Sequence, residues 1–158
     1  MADPTVHASA VLAGARAVLI RGPSGAGKSR LALALVDAAQ AGLIRFARLV
    51  GDDRVHLEPC HDRLLVRPAA SLAGLIEVRG AGIRRVDHEP VAVVGLVVDL
   101  ADDDAERLPL PTDTVISGVR LSRLAVAAGA DPLPPVLAAL ADIKPWTESL
   151  PSGQVVQK

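Results

Sequence analysis

Gly22-Pro23-Ser24-Gly25-Ala26-Gly27-Lys28-Ser29 fits the pattern G-x-x-x-x-G-K-[ST], the spacing of a loop that cradles phosphate. The flanks agree with it. Arg16 to Arg21 (R-A-V-L-I-R) is a short apolar strand leading in, and Lys28 to Ala41 reads as a helix leading out. Glycines let the backbone curl until successive N–H groups point at one anion. The helix N-terminus adds partial positive charge on the same side. Lys28 then reaches the β- and γ-phosphates, and the Ser29 hydroxyl is a ligand for Mg²⁺. A plain glycine-rich turn before a helix leaves the Lys-Ser pair unexplained.

The chain around this loop has 158 residues, the size of one domain with a sizeable core. Half of it is hydrophobic, yet Phe46 and Trp146 are the only aromatic residues. The core must therefore pack aliphatic side chains. A formal net charge of −1 gives no broad field for nucleic acid or an anionic membrane. The longest apolar run, Val91 to Val98, is too short to span a bilayer. Cys60 is the only cysteine, which excludes an intrachain disulfide. No signal-peptide pattern opens the sequence. A soluble, cytoplasmic protein is expected.

Ahead of the loop, Thr5 to Ala13 has strand character and contains His7; Gly14 and Ala15 turn the chain into the next strand. A lone histidine in a strand is ordinarily structural. After the loop, Leu31, Leu35 and Ala38 share one helix face, and Gly42 suits the helix end. Phe46 to Val50 is a strand that runs into Gly51-Asp52-Asp53. Carboxylates in this place, downstream of a phosphate loop, suit a Mg²⁺-associated site. One can hold the metal, directly or through water, and the other can accept a proton from an attacking hydroxyl. An Asp-Asp turn at a strand end is the plainer alternative. Arg54 to Glu58 and Arg63 to Arg67 alternate and read as a hairpin, with Pro59 to Asp62 between them.

A second informative stretch is Ile76-Glu77-Val78-Arg79-Gly80-Ala81-Gly82-Ile83, a strand with Glu and Arg running into Gly-x-Gly. Glu77 is a candidate metal ligand and Arg79 a candidate phosphate partner, although on spacing alone an exposed Glu-x-Arg strand is the better account. Val91 to Leu100 is the best central strand. Ala101 to Pro111 is an acidic, proline-containing loop. Thr112 to Arg120 reads as a short strand, Ser122 as an N-cap, Arg123 to Ala128 as a helix, and Pro134 to Asp142 as another. The fold class expected is α/β: a single domain, residues 1–142, with a mixed sheet and flanking helices, followed by a polar tail at 143–158.

With these residues in hand, the chain resembles the catalytic domain of HPr kinase/phosphorylase, particularly its short alphaproteobacterial form. Five features carry the resemblance. His7 stands fifteen residues before Gly22; the loop reads G-P-S-G-A-G-K-S; and L-V-G-D-D-R-V-H-L (Leu49 to Leu57) parallels the family's L-V-A-D-D. Ile76 to Ile83 matches the signature [LI]-E-[IV]-R-G-x-G-I, the most specific part, and Arg123 is read as the family's Arg opening a late helix. The resemblance covers about residues 5–140.

It implies a phosphate loop of the phosphoenolpyruvate carboxykinase type and ATP-dependent phosphorylation of a Ser of the phosphocarrier HPr, with reversal by phosphate. By the same resemblance, Asp53 is the base, Asp52 its neighbour or metal-site support, and Ser29 and Glu77 hold Mg²⁺. Lys28 neutralises phosphate, Gly22 to Ser29 bind ATP, and His7 and Arg123 border the site. The family assembles as a hexamer.

The sequence departs from the family in three ways. It has no counterpart of the family's N-terminal regulatory domain, so metabolite control through it is not expected. It lacks the longer C-terminal helix with a Lys-x-Met-Gly-Tyr-Asp-like segment, on which reversal and subunit contacts depend. Arg30 stands where an acidic residue usually follows the loop Ser. Two other readings stay open: a small-metabolite kinase, which would have a parallel sheet and no hairpin after Asp53, and a non-catalytic nucleotide-binding regulatory module.

Overall fold

The computed structural model describes residues 4–103, 105 and 112–142. The expected polar tail at 143–158 lies outside the described residues, as does part of the acidic loop before Thr112. The described chain runs β1 (Ala8–Ala13), β2 (Arg16–Arg21), α1 (Lys28–Gln40), β3 (Ala47–Gly51), β4 (Val55–Cys60) and β5 (Arg63–Pro68). After a single 3₁₀ turn at Ala70–Leu72 come β6 (Leu75–Val78), β7 (Gly82–Arg85), β8 (Ala92–Leu100), β9 (Thr112–Ile116), β10 (Val119–Val126) and α2 (Leu133–Asp142).

The main sheet has the order β3-β1-β2-β8-β10-β9 and is mixed. β2, β8 and β10 are parallel to one another, whereas β1, β3 and β9 pair antiparallel. β5 joins the first residues of β8 (Leu65 opposite Val93) and carries β4 with it as a hairpin. The α/β class with a mixed sheet and helices beside it is thus observed.

The alternating pattern of β2 explains why the sheet is covered on both faces. Val18 and Ile20 pack with Leu31 and Leu35 of α1 and Val136 of α2. Ala17 and Leu19 face the other way, toward Val55, Leu64 and Val66 of the β4–β5 hairpin. Burying such aliphatic side chains stabilises by about 1.5–3 kcal/mol each. The sheet thereby anchors both ends of the phosphate loop. Three parallel strands end side by side, and three loops leave that edge: the phosphate loop after Arg21, the acidic loop after Leu100, and a small-residue loop after Val126. The carboxyl edge of parallel strands is where α/β folds bind ligands.

Several local expectations change. Pro59 and Cys60 belong to β4, so only His61 and Asp62 turn the hairpin, with His61 at φ 59°. The Ile76–Ile83 stretch is a separate two-stranded ribbon, β6 paired with β7, rather than a strand of the sheet. The helix expected from Arg123 to Ala128 is absent, and Ser122 caps nothing there. Arg123 to Val126 instead continue β10, which pairs with β8 on one side and β9 on the other, and Ala127 and Ala128 begin the turn after it. Tertiary pairing overrides the weak helical preference of Leu124-Ala125-Val126. α2 starts at Leu133, whose N–H is accepted by Asp131 Oδ1 at 3.1 Å.

Candidate active site

The loop Gly22–Ser29 bridges β2 and α1 as expected. Gly25 and Gly27 have φ of 85° and 102°, a region L side chains avoid. Lys28 is buried and folds over its own loop, donating to Gly22 O at 2.8 Å and Pro23 O at 3.2 Å. Its ammonium is thus held where the loop curls.

Asp52 is the polar centre of the site. It is 4% exposed. The Ser29 hydroxyl lies 2.7 and 2.9 Å from its two carboxylate oxygens. The Ser9 hydroxyl donates to Oδ1 at 2.7 Å, and the Glu77 backbone N–H to Oδ2 at 3.1 Å. A buried carboxylate needs such donors. Ser9 also accepts the Asp53 N–H at 3.2 Å, so it joins the two aspartates. Sequence reasoning passed over Ser9, whose only signal is a lone hydroxyl in an otherwise apolar strand.

Asp53 is built differently. Its φ is 73°, an uncommon backbone conformation that turns its side chain away from the strand direction. The carboxylate is 59% exposed and lies 2.8 Å from His7 Nε2. The pairing of β1 with the β4 side of the sheet brings them together. Val6 and Val55 exchange both backbone hydrogen bonds, and Ala8 N–H donates to Asp53 O, so His7 is bracketed opposite Asp53. The histidine singled out before the loop is therefore in contact with the aspartate pair.

Glu77 meets the site through its backbone, and its side chain is exposed. Val78, Gly80 and Gly82 shape the ribbon's turn, with both glycines at positive φ; Arg79, Ala81 and Ile83 are exposed and Ile76 is buried against α1's face of the sheet. Arg30 points its residue surface to solvent. Among the described residues no group of three or more His, Cys, Asp or Glu side chains could enclose a metal. Mg²⁺ does not need such a cage, since it keeps waters and phosphate oxygens and uses one or two protein ligands. The Ser29 hydroxyl set against the buried Asp52 carboxylate fits that donor set.

Arg123 sits on β10, not at a helix start, and its guanidinium is engaged. Nε donates to Asp99 Oδ2 at 2.6 Å and Nη2 to Asp102 Oδ2. Asp99 also receives a two-pronged contact from Arg21, at 2.7 and 2.9 Å. Burial by itself would raise the Asp99 carboxyl, but hydrogen bonds from Arg21 and then Arg123 hold it below its ordinary value. The hydrogen bond to Asp99 correspondingly raises Arg123. This network ties the ends of β2, β8 and β10 beneath the three loops.

The fold and the site together define a phosphate-loop α/β protein with a mixed sheet and a paired-aspartate centre. Residues 2–89 match the family model described as HPr Serine kinase C-terminal domain, and the chain belongs to that family. Among its relatives, the HPr kinase/phosphorylase of an Exiguobacterium species is 48% identical over 67 residues, covering 42% of this chain and 19% of that protein. The HPr kinase/phosphorylase of Neisseria meningitidis is 33% identical over 129 residues, covering 71% of this chain and 38% of that protein. The chain thus spans well under half the length of these relatives. The structure titled as the Hpr(Ser) kinase/phosphatase from Coxiella burnetii superposes with a TM-score of 0.74 at 24% identity, over 92% of this chain and 93% of that one.

Proposed function

We propose that residues 1–142 form the catalytic unit of an ATP-dependent protein serine kinase whose acceptor is a Ser of HPr. The observation that carries this reading is the division of labour between adjacent aspartates beside a phosphate loop. Asp52 is buried and holds Ser29, while Asp53 is exposed and paired with His7.

In this reading the loop N–H groups and Lys28 bind the triphosphate and offset charge on the transferring phosphoryl group. Lys28 exchanges its two loop carbonyls for phosphate oxygens. Ser29 and Asp52 would hold Mg²⁺, with Glu77 as a further candidate ligand, and the ion would neutralise phosphate charge. Asp53 takes the proton from the acceptor Ser hydroxyl as that oxygen attacks the γ-phosphorus in line with the departing ADP oxygen. His7 orients Asp53. In phosphate-dependent removal, protonated Asp53 serves as the acid that returns a proton to the departing Ser oxygen while phosphate attacks phospho-Ser and pyrophosphate forms. Arg123 acts at a distance, by holding Asp99 and Asp102. The hairpin after Asp53 and the mixed sheet weigh against an ordinary small-metabolite kinase. No helix among the described residues is long and apolar enough to cross a membrane, which suits a protein acceptor in solution.

The test is a transfer assay with labelled ATP, Mg²⁺ and HPr, beside HPr whose acceptor Ser is replaced by Ala. Label on the first HPr alone is expected. Label on neither, with ATP still bound, would move the reading to a nucleotide-responsive binding module.

A further inference from the structure

Beside the phosphate loop lies a cavity of about 300 Å³ to which the mechanism above assigns no part of the substrate. One wall is the outer side of the loop, with Pro23 and Ala26; the other is the small-residue turn after β10, with Ala128 and Gly129; Leu100 and Val126 lie between. We infer that this cavity receives the base of the nucleoside triphosphate and holds it by aliphatic contact, with little discrimination between adenine and guanine. The inference rests on the kinase reading and deepens it.

Three observations support it. The first is position: the cavity shares loop residues 23–26 with the phosphate site, so a nucleotide whose phosphates sit in the loop extends directly into it. The second is chemistry. Among the described residues lining it, none is charged and Ser24 alone carries a hydrogen-bonding side chain. Such a lining offers no cationic side chain to pair with a phosphate or carboxylate and suits the apolar faces of a flat ring. Its volume is at the small end for ligand sites, room for a ring system rather than a whole nucleotide.

The third is rigidity. A Cβ placed on Gly22 would stand 3.1 Å from both Cβ and O of Leu100, so the loop's first residue is packed against the cavity floor. The Asp102 N–H donates to Val126 O at 3.0 Å, and Ala130 N–H closes the turn onto Ala127 O at 3.1 Å. Arg21, Asp99 and Arg123 tie the three strand ends below. The walls are set before a ligand arrives, which lowers the ordering cost of binding.

Weak base discrimination follows from the lining. Strong rejection of a wrong base requires buried polar side chains that the wrong base leaves unpaired. Here the base edge meets backbone, Ser24 or solvent.

The experiment measures binding of Mg²⁺ complexes of ATP, GTP and inorganic tripolyphosphate by calorimetry. It uses the whole chain and the separate variants Ala128→Leu and Ala130→Leu, both at exposed turn positions, each with a thermal melt to check folding. ATP should bind at least about tenfold tighter than tripolyphosphate, GTP should fall within about threefold of ATP, and both variants should bring ATP down to tripolyphosphate while leaving tripolyphosphate unchanged. Equal binding of ATP and tripolyphosphate by the unsubstituted chain would overturn the base site and leave the phosphate-loop reading standing. So would folded variants that keep the ATP advantage. GTP more than tenfold weaker than ATP would overturn the specificity claim. No binding of any triphosphate would overturn the inference together with the reading beneath it.

Discussion

Replacing Asp52 by leucine deletes the acceptor at the centre of the site while keeping a side chain of similar length. Three donors lose their partner: the Ser9 hydroxyl, the Ser29 hydroxyl and the Glu77 backbone N–H. Hydrogen bonds to a charged group contribute about 1.5–3 kcal/mol each, which sets an upper figure of about 4.5–9 kcal/mol for three. Two corrections reduce it. Ser29 is only half-buried and can turn to water. Removing a carboxylate that is 4% exposed also removes its desolvation cost. Ser9, fully buried, has no such escape, and an orphaned buried group costs about 1–3 kcal/mol. The net expectation is a loss of about 3 kcal/mol, and a fall in melting temperature of about 6–12 °C for a chain of this size. Asp52→Asn, which keeps one acceptor oxygen, should lose less than half as much. Urea unfolding with parallel thermal melts measures both. An Asp52→Leu variant within about 1 kcal/mol of the parent would refute the claim that this carboxylate holds the three segments together.

Three further outcomes are expected. Lys28→Ala should cut kcat/KM by at least about 100-fold while the circular dichroism spectrum stays that of the parent, because among the described residues Lys28 donates to two carbonyls of its own loop; loss of the folded spectrum would show a structural role instead. Asp99 has a folded-state pKa below its unfolded 3.8, so its stabilisation is complete above pH 3.8 and is lost as pH falls through the lower folded value. Asp99→Asn should therefore be less stable than the parent at pH 7, with the gap closing below pH 3.8; a gap that stays constant down to pH 2 would contradict the Arg21–Asp99–Arg123 linkage. His7→Ala should slow turnover with little change in nucleotide affinity, since His7 touches Asp53; an equal loss in both would place His7 in nucleotide binding.

Much of the site was legible because its parts are local. The phosphate loop declares itself in eight consecutive residues with a strand before and a helix after, and Asp52-Asp53 closes an apolar strand. β8 is a near-continuous apolar run because it is buried between β2 and β10. What escaped was long-range. Ser9 reaches Asp52 across 43 positions, and nothing in A-S-A-V-L-A marks that partner. Asp99, within the Val91 to Leu100 run, is a lone carboxylate in an apolar strand, and that is a signal of buried pairing. Arg123 was misread because Leu-Ala-Val following it suits a helix; pairing with β8 and β9 decides the matter, and the same pairing directs its guanidinium to Asp99 and Asp102. The ribbon at Ile76–Ile83 was seen as a motif, but its link to the site is a backbone N–H, which no side-chain pattern records.

The measurement that bears most directly on the central claim is transfer of the labelled γ-phosphoryl group to HPr by the parent chain and by Asp53→Asn, with ATP binding titrated on both. Transfer by the parent, a fall of about 10²–10⁴-fold in the variant and ATP affinity unchanged within about threefold are the expected result. Near-parental transfer by Asp53→Asn would contradict the assignment of this exposed, His7-paired aspartate as the base.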